Sequence, residues 1–261
     1  MKSRFNPAAA ALVLLAGSAL LQPARAGATL DTIHRTGVLR VGTTGDYKPF
    51  SFRNPDGTYQ GADITMVRRL AARLGARVEF VPTVWAQLNT DYSAGKFDIA
   101  VGGVTNLAPR AARGPFTATT YVDGKRPIAR CTDRDRFTSV AAINQPGVRV
   151  VVNPGASNEE FARANFPRAR LTVHPDNPTV SDEIVAGRAD VFVTDGIEVA
   201  HLVHVHPELC PANVPALFTR LEKAYWVQND AALLAAVNEW LAAEVKSGFW
   251  GKTLDAALVA P

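Results

Sequence analysis

Short apolar runs alternate with helix-forming stretches along this chain, and they do so twice over. In the first series a strand is predicted at 37–42 and a helix at 63–74. Met66, Val67, Leu70 and Leu74 share one face of that helix, Arg68, Arg69 and Arg73 lie off it, and Gly75 ends it. Strands follow at 77–81 and, with glycines inside, at 98–104. The second series has a strand at 147–152, a helix continuing through 161–166, a strand at 171–173 and a helix at 180–186 stopped by Gly187. The run 190–195 then leads into a helix at 197–206. Alternation of this kind predicts mostly parallel sheets flanked by helices. Two series predict two small α/β lobes, 27–124 and 125–225, with 226–261 returning to the first. The chain would cross near 121–125 and come back near 223–226. A last helix, capped by Asp230, faced by Leu234, Val237, Leu241 and Val245 and closed by Gly248, would pack on the first lobe. A cleft between lobes is a preferred place for a small molecule.

Residues 1–26 stand outside this pattern. Lys2 and Arg4 precede the apolar stretch from Ala8 to Leu21, and Ala24-Arg25-Ala26 is a small-x-small cleavage site. These are the marks of a secretory signal peptide; the apolar run is short for a membrane span. No later stretch is apolar enough to cross a bilayer, so a soluble exported chain is expected, with no membrane partner after cleavage. The formal charge of +4 falls to +1 once Lys2, Arg4 and Arg25 are removed. No block of Lys and Arg is interleaved with aromatics, which argues against nucleic acid as a partner. Cys131 and Cys210 are the two cysteines. In an exported protein an even count favours a disulfide over two buried thiols.

Several residues invite functional readings that local sequence leaves open. Asp195 and Glu198 fall at a strand's C-terminal end and in the next helix's first turn, the edge where open α/β sheets bind ligands. Taken alone, Glu198 is a first-turn glutamate favoured by the helix dipole, and Asp195 an N-cap. Arg110 can clamp a carboxylate through two parallel hydrogen bonds, or lie solvated like Arg113. Ser157 and Glu160 have the spacing of a capping box, and the free N–H groups where Ser157 and Asn158 begin a helix also suit a carboxylate. Lys125 sits at the crossing, in reach of the cleft or of solvent. Asn153 ends a strand as an amide donor or a turn former. Tyr47, Phe50 and Trp85 can wall a ring or fill a core, and Thr105 can hydrogen-bond a carboxylate. His201 and His204 share a helical face that His206 leaves, and a solvated helix end is the better reading than a metal site. Neither a G-x-S-x-G elbow nor a phosphate-binding P-loop occurs.

Spaced motifs carry a resemblance across nearly all of the chain after the leader. Gly45-Asp46-Tyr47-Lys48-Pro49-Phe50-Ser51-Phe52 and Gly61-Ala62-Asp63-Ile64 resemble the opening of polar amino-acid-binding periplasmic proteins, solute-binding family 3. Phe97-Asp98-Ile99-Ala100 with Gly103, Thr105 and Arg110, and Ala189-Asp190 with Asp195, are similar to the same family. A narrower resemblance is to the cyclohexadienyl dehydratases. It rests on Asp123-Gly124-Lys125, Asn153 through Glu159, Phe161-Ala162-Arg163-Ala164-Asn165, Val173-His174-Pro175-Asp176-Asn177, Thr194 through Glu198, His206 through Cys210, and Glu222-Lys223-Ala224-Tyr225. The loop Asn106-Leu107-Ala108-Pro109 departs from the pattern.

The resemblance implies a type II periplasmic binding protein fold with the ligand between its lobes. It implies removal of water and carbon dioxide from prephenate or arogenate, with no metal or organic cofactor, and a periplasmic location. Glu198 becomes the general acid, with a pKa raised by burial. Arg110, Lys125, Asn153, Ser157, Asn158 and Thr105 become holders of an anionic substrate, and Tyr47 and Trp85 contacts of its ring. Asp195 would meet an ammonium in the amino-acid binders, whereas prephenate carries a keto group there. Both cysteines fall where the dehydratases have cysteine, which supports a Cys131–Cys210 bridge. The dehydratases also admit assembly into homo-oligomers. Two other readings use the same fold: a binding protein that delivers an amino acid to a transporter, and a sensory lobe.

Overall fold

The computed structural model describes residues 27–155 and 157–260. The leader at 1–26 and Ala156 of the turn after Asn153 lie outside the described residues.

The first series of elements builds around β1 (Val38–Thr43), whose Leu39 and Val41 are wholly buried. It pairs in parallel with β5 (Arg77–Pro82) on one side and β6 (Ile99–Ala100) on the other. The glycine-containing stretch 98–104 yields only this two-residue strand. Gly102 and Gly103 follow with φ of 108° and 71°, values that take the chain out of the sheet. A loop carrying β2 (Asp46–Tyr47), β3 (Ser51–Arg53) and β4 (Tyr59–Gln60) leads into α2 (Ala62–Arg73). That helix buries Met66, Val67 and Leu70 as its periodicity predicts. Among the described residues five α-helices escape the sequence reading: α1 (Ala28–Thr36) before β1, the short α3 (Leu88–Ser93), α4 (Ala108–Ala111) and α5 (Val140–Ile143), and α10 (Phe249–Leu258) after Gly248.

The second series forms a five-stranded sheet in the order β10 (Arg170–Val173), β9 (Arg149–Val152), β11 (Val191–Asp195), β8 (Lys125–Arg130), β12 (Leu209–Pro211). The first three strands are parallel, and β8 runs antiparallel to both β11 and β12. Helices α6 (Ser157–Asn165), α7 (Val180–Val185) and α8 (Gly196–Val205) cover it. The fold is the type II, two-lobed α/β arrangement, with each larger sheet mostly parallel.

One ion pair recurs in both sheets. Asp98 accepts the backbone N–H of Arg40 at 2.9 Å and pairs with its guanidinium at 2.6 Å; Asp190 does the same for Arg149 at 2.9 and 2.6 Å. In each case the aspartate N–H returns a bond to the arginine carbonyl, at 2.9 and 2.8 Å. The repetition is structural, with no close sequence repeat beneath it.

Between the two larger sheets lies a two-stranded antiparallel ribbon, β7 (Tyr121–Asp123) with β13 (Leu221–Lys223). From it β14 (Trp226–Val227) joins the first sheet beside β6. Asp230 caps α9 (Ala231–Lys246), accepting the N–H groups of Ala232 and Leu233 at 2.9 and 3.0 Å, as its sequence predicts. The buried face of α9 is Leu233, Val237, Trp240, Leu241 and Glu244. Val245, placed on that face by spacing, is 49% exposed.

Cys131 and Cys210 are joined. Cys131 follows β8 directly and Cys210 lies in β12, paired to β8, so the sheet itself brings them together.

Candidate active site between the lobes

Strand β11 is buried along its whole length, and its last two residues, Thr194 and Asp195, deliver their side chains to the cleft. The helix that follows is not capped by Asp195, contrary to the sequence reading. Asp123 of the ribbon caps it instead, accepting the N–H groups of Gly196 at 3.1 Å and Ile197 at 3.0 Å. A Cβ at 196 would sit 2.8 Å from the Asp123 carboxylate, so a larger residue there would push that cap aside.

Asp195 is released from capping because both its oxygens are taken. Oδ1 accepts the Lys125 ammonium at 2.7 Å. Oδ2 accepts the Lys223 ammonium at 2.7 Å and the Tyr47 hydroxyl at 2.6 Å. All four residues are at most 5% exposed. Burial alone would raise the Asp195 pKa, but the two ammonium groups overcome it and hold the carboxyl well below the usual range. Burial lowers the pKa of Lys125, against the pull of Asp195.

Glu198 lies in the first turn of α8 and is also buried. Burial pushes its carboxyl up to about 8; the Thr194 hydrogen bond lowers it, and the Asp195 charge raises it further. The Thr194 hydroxyl donates to Oε2 of Glu198 and accepts from the Asn158 amide at 2.9 Å. The same amide donates to Oδ1 of Asn153 at 2.9 Å, and Oδ1 of Asn158 accepts from Lys125. Asn153 is thus an acceptor within this network. The Ser157 hydroxyl also accepts, from Lys125 at 2.9 Å, and Ser157 stands inside α6. The loop N–H of Gly155 goes to Glu159 at 2.7 Å, so the capping-box pairing with Glu160 is not the one formed.

On the facing side, Tyr47 meets Trp85 edge-on with ring centroids 5.8 Å apart, and the Trp85 indole donates to Asp46 at 3.0 Å. Phe50 is wholly buried beneath Tyr47 in the core. Arg110 is buried, donating to the Thr105 carbonyl at 3.1 Å and to Asn89 at 3.3 Å. Burial lowers its pKa to about 10, which leaves it charged at neutral pH.

Tyr47, Trp85, Thr105, Arg110, Asn153, Ser157, Asn158, Asp195 and Glu198 all line one narrow cavity of about 20 Å³. Lys125 reaches it through its bonds to Asp195, Ser157 and Asn158. Sequence reasoning missed Lys223, Asn177 and Gly103, which line it too. Lys223 and Asn177 lie inside stretches that resemble the dehydratases, the only signal that points to them. Gly103 has a geometric cause: a Cβ there would sit 2.5 Å from the Tyr47 ring.

A wider cavity of about 550 Å³ lies on the other flank of Glu198, lined also by His201, His204 and His206. It is larger, but the charged and amide groups converge on the narrow one. His201 is turned to the Leu258 carbonyl at 3.0 Å and His206 to Ser181 at 3.4 Å. Among the described residues no group of three His, Cys, Asp or Glu is placed to hold a metal ion.

Residues 39–257 match the model of the bacterial extracellular solute-binding proteins, family 3. The chain belongs to that family. Among solute-binding family 3 relatives, it is 45% identical over 249 residues to the cyclohexadienyl dehydratase of Pseudomonas aeruginosa, covering 95% of this chain and 91% of that one. Its structure resembles the ancestral amino acid-binding protein AncCDT-1, a precursor of cyclohexadienyl dehydratase, with a TM-score of 0.81 and 34% identity over 88% of this chain and 99% of that one. An ancestral cyclohexadienyl dehydratase matches at 45% identity and a TM-score of 0.55, over 88% and 96% of the two chains. The family thus contains both catalysts and binders, and no described helix of this member is long and apolar enough to cross a membrane.

Proposed function

We propose that this protein is a cyclohexadienyl dehydratase, a carbon–oxygen lyase that converts prephenate to phenylpyruvate, or arogenate to phenylalanine. The 45% identity to the Pseudomonas aeruginosa enzyme over nearly the whole chain supports the assignment. The single structural observation that carries it is Glu198, a buried carboxyl pushed up to about 8 in a cavity otherwise rich in cations.

The chemistry asks for little more. At neutral pH Glu198 keeps its proton, and the Thr194 hydroxyl on Oε2 leaves Oε1 to deliver it. The proton goes to the substrate's C4 hydroxyl, and the C4–O bond breaks to release water. The bond from the ring to its carboxylate breaks as carbon dioxide departs, and that electron pair completes the aromatic ring. Glu198 then recovers a proton from solvent, so each turnover consumes one. General-acid help of this kind is worth about 10²- to 10⁴-fold in rate. Arg110 and the start of α6 at Ser157 and Asn158 hold the carboxylates, Asn153 and Lys125 fix that end of the network, and Thr105, Tyr47 and Trp85 border the ring. A cavity this narrow admits a ring only when the lobes part, and their closing over it would exclude water.

The same reading makes the chain a periplasmic protein exported by a leader at 1–26, with lobes bounded at 27–124 plus 226–261 and at 125–225. Phenylpyruvate formation from prephenate by the purified mature protein, followed by absorbance, tests the activity. An absence of turnover together with tight binding of an intact amino acid would sink it in favour of transport binding. N-terminal sequencing of the exported protein tests the leader.

A further inference from the structure

An α-amino acid needs a carboxylate or a set of neutral oxygens for its ammonium. The cavity is bordered by two acidic side chains, Asp195 and Glu198. Asp195 already accepts three hydrogen bonds, two from ammonium groups at 2.7 Å and one from a phenol at 2.6 Å. Glu198 accepts from Thr194. The amide oxygens of Asn153 and Asn158 are likewise occupied, by Asn158 and by Lys125. Asn177 offers one amide oxygen without a protein partner, a single neutral acceptor, while its amide nitrogen donates to the Asp46 carbonyl at 2.8 Å. The charged groups around the cavity are Lys125, Lys223, Arg110 and Asp195, so formal charges leave an excess of two positive when Glu198 is protonated.

We infer that the Asp195–Lys125–Lys223 cluster selects against an α-ammonium, so that the cleft takes prephenate, a keto dicarboxylate, in preference to arogenate, its amino counterpart. The inference rests on the dehydratase reading. Two carboxylates on prephenate match the excess charge. Arogenate adds a cation that must displace a buried lysine from Asp195 or sit beside both lysines, and a like charge in a dry site is disfavoured. Lys223 is the selective element: its ammonium borders the cavity, 4.9 Å from the Tyr47 ring centroid and 2.7 Å from Asp195.

The test compares kcat/KM for prephenate and arogenate on the wild-type protein, and the binding of phenylpyruvate and L-phenylalanine by calorimetry. At least about a tenfold preference for the keto member of each pair is expected. Equal or better use of arogenate, or tighter binding of L-phenylalanine, would overturn the inference. If neither substrate turns over, the dehydratase reading fails, while tighter phenylpyruvate binding would still uphold the charge selection. A Lys223→Met variant, checked for folding by its melting curve, should shift both ratios toward the amino member. An unchanged ratio in a folded variant removes Lys223 from the role, and if the variant does not fold the wild-type comparison decides.

Discussion

The Asp123 carboxylate accepts the backbone N–H of Ile197 at 3.0 Å, tying the ribbon between the lobes to the helix that presents Glu198. Sequence alone offers Asp195, the neighbouring residue, for that cap. Replacing Asp123 by Ala leaves the N–H groups of Gly196 and Ile197 without their carboxylate, a change that costs about 1 to 2 kcal/mol for a helix cap. Chemical denaturation should register this, and kcat should fall as well because Glu198 rides on the loosened turn. An Asp123→Ala variant with unaltered stability would show the cap to be dispensable.

Glu198 gives the pH dependence. With its carboxyl at about 8, the acid form is present at neutral pH, and kcat should decline above about pH 8. For stability the sign is fixed by comparison with the unfolded chain, where the group titrates near 4.5. Below that value both states are protonated. Above it the unfolded chain ionises and the folded one does not, so stability is lost progressively up to about 8 and no further. Glu198→Gln removes that loss. In urea melts, the variant should gain roughly 3 to 5 kcal/mol on wild type between about pH 4 and about pH 9. Asp195 has the opposite sign: its contribution is present above 3.8 and is lost as the solution becomes more acid.

The same Glu198→Gln substitution should cut kcat by about 10²- to 10⁴-fold while phenylpyruvate still binds. Binding is read by calorimetry and turnover by single-turnover absorbance. Full activity in the variant would remove Glu198 as the proton donor.

Arg110 anchors one substrate carboxylate in the proposed mechanism, from a side chain already held by Thr105 and Asn89. Lysine keeps the charge but loses the planar fork. Arg110→Lys should therefore raise KM by about 10- to 100-fold, the value of one charge-assisted hydrogen bond, with a smaller effect on kcat. A change confined to kcat would argue that Arg110 acts on the reacting atoms instead.

The Cys131–Cys210 bridge joins residues 79 apart in sequence, and neither cysteine lines the cavity. In the chain-entropy account a closed loop of that size contributes about 4.5 kcal/mol. The double Cys131→Ala, Cys210→Ala variant should melt lower by that margin and keep its catalytic constants where it remains folded.

Much of this molecule is legible in its sequence, for identifiable reasons. The 3.6-residue spacing of Met66, Val67 and Leu70 and the cap at Asp230 are local signals, and they hold. The strand end at Thr194 and Asp195 follows from an apolar run meeting a glycine. Nine of the residues singled out in the sequence meet in one cavity, but their partners were not foreseeable, since hydrogen bonds between residues far apart leave no local mark. Lys223 is an example: it sits 28 residues from Asp195, in a strand too short to show a period. Val245 was placed on the buried face of α9 because spacing records hydrophobicity; the site beside it goes to Glu244, held by Arg69 and the Trp240 indole. The twin pairs Arg40–Asp98 and Arg149–Asp190 were also invisible, because only geometry relates them.

Lys223 belongs to the ribbon on which the two lobes would turn, and Tyr47 to the loop facing Asp195 across the cleft. Any swing that admits a ligand must strain or sever the bonds these two make to Asp195. The gap between the lobes is thus fastened by a charge as well as by shape, and a dianionic visitor that recruits the lysines would loosen the latch it has to pass.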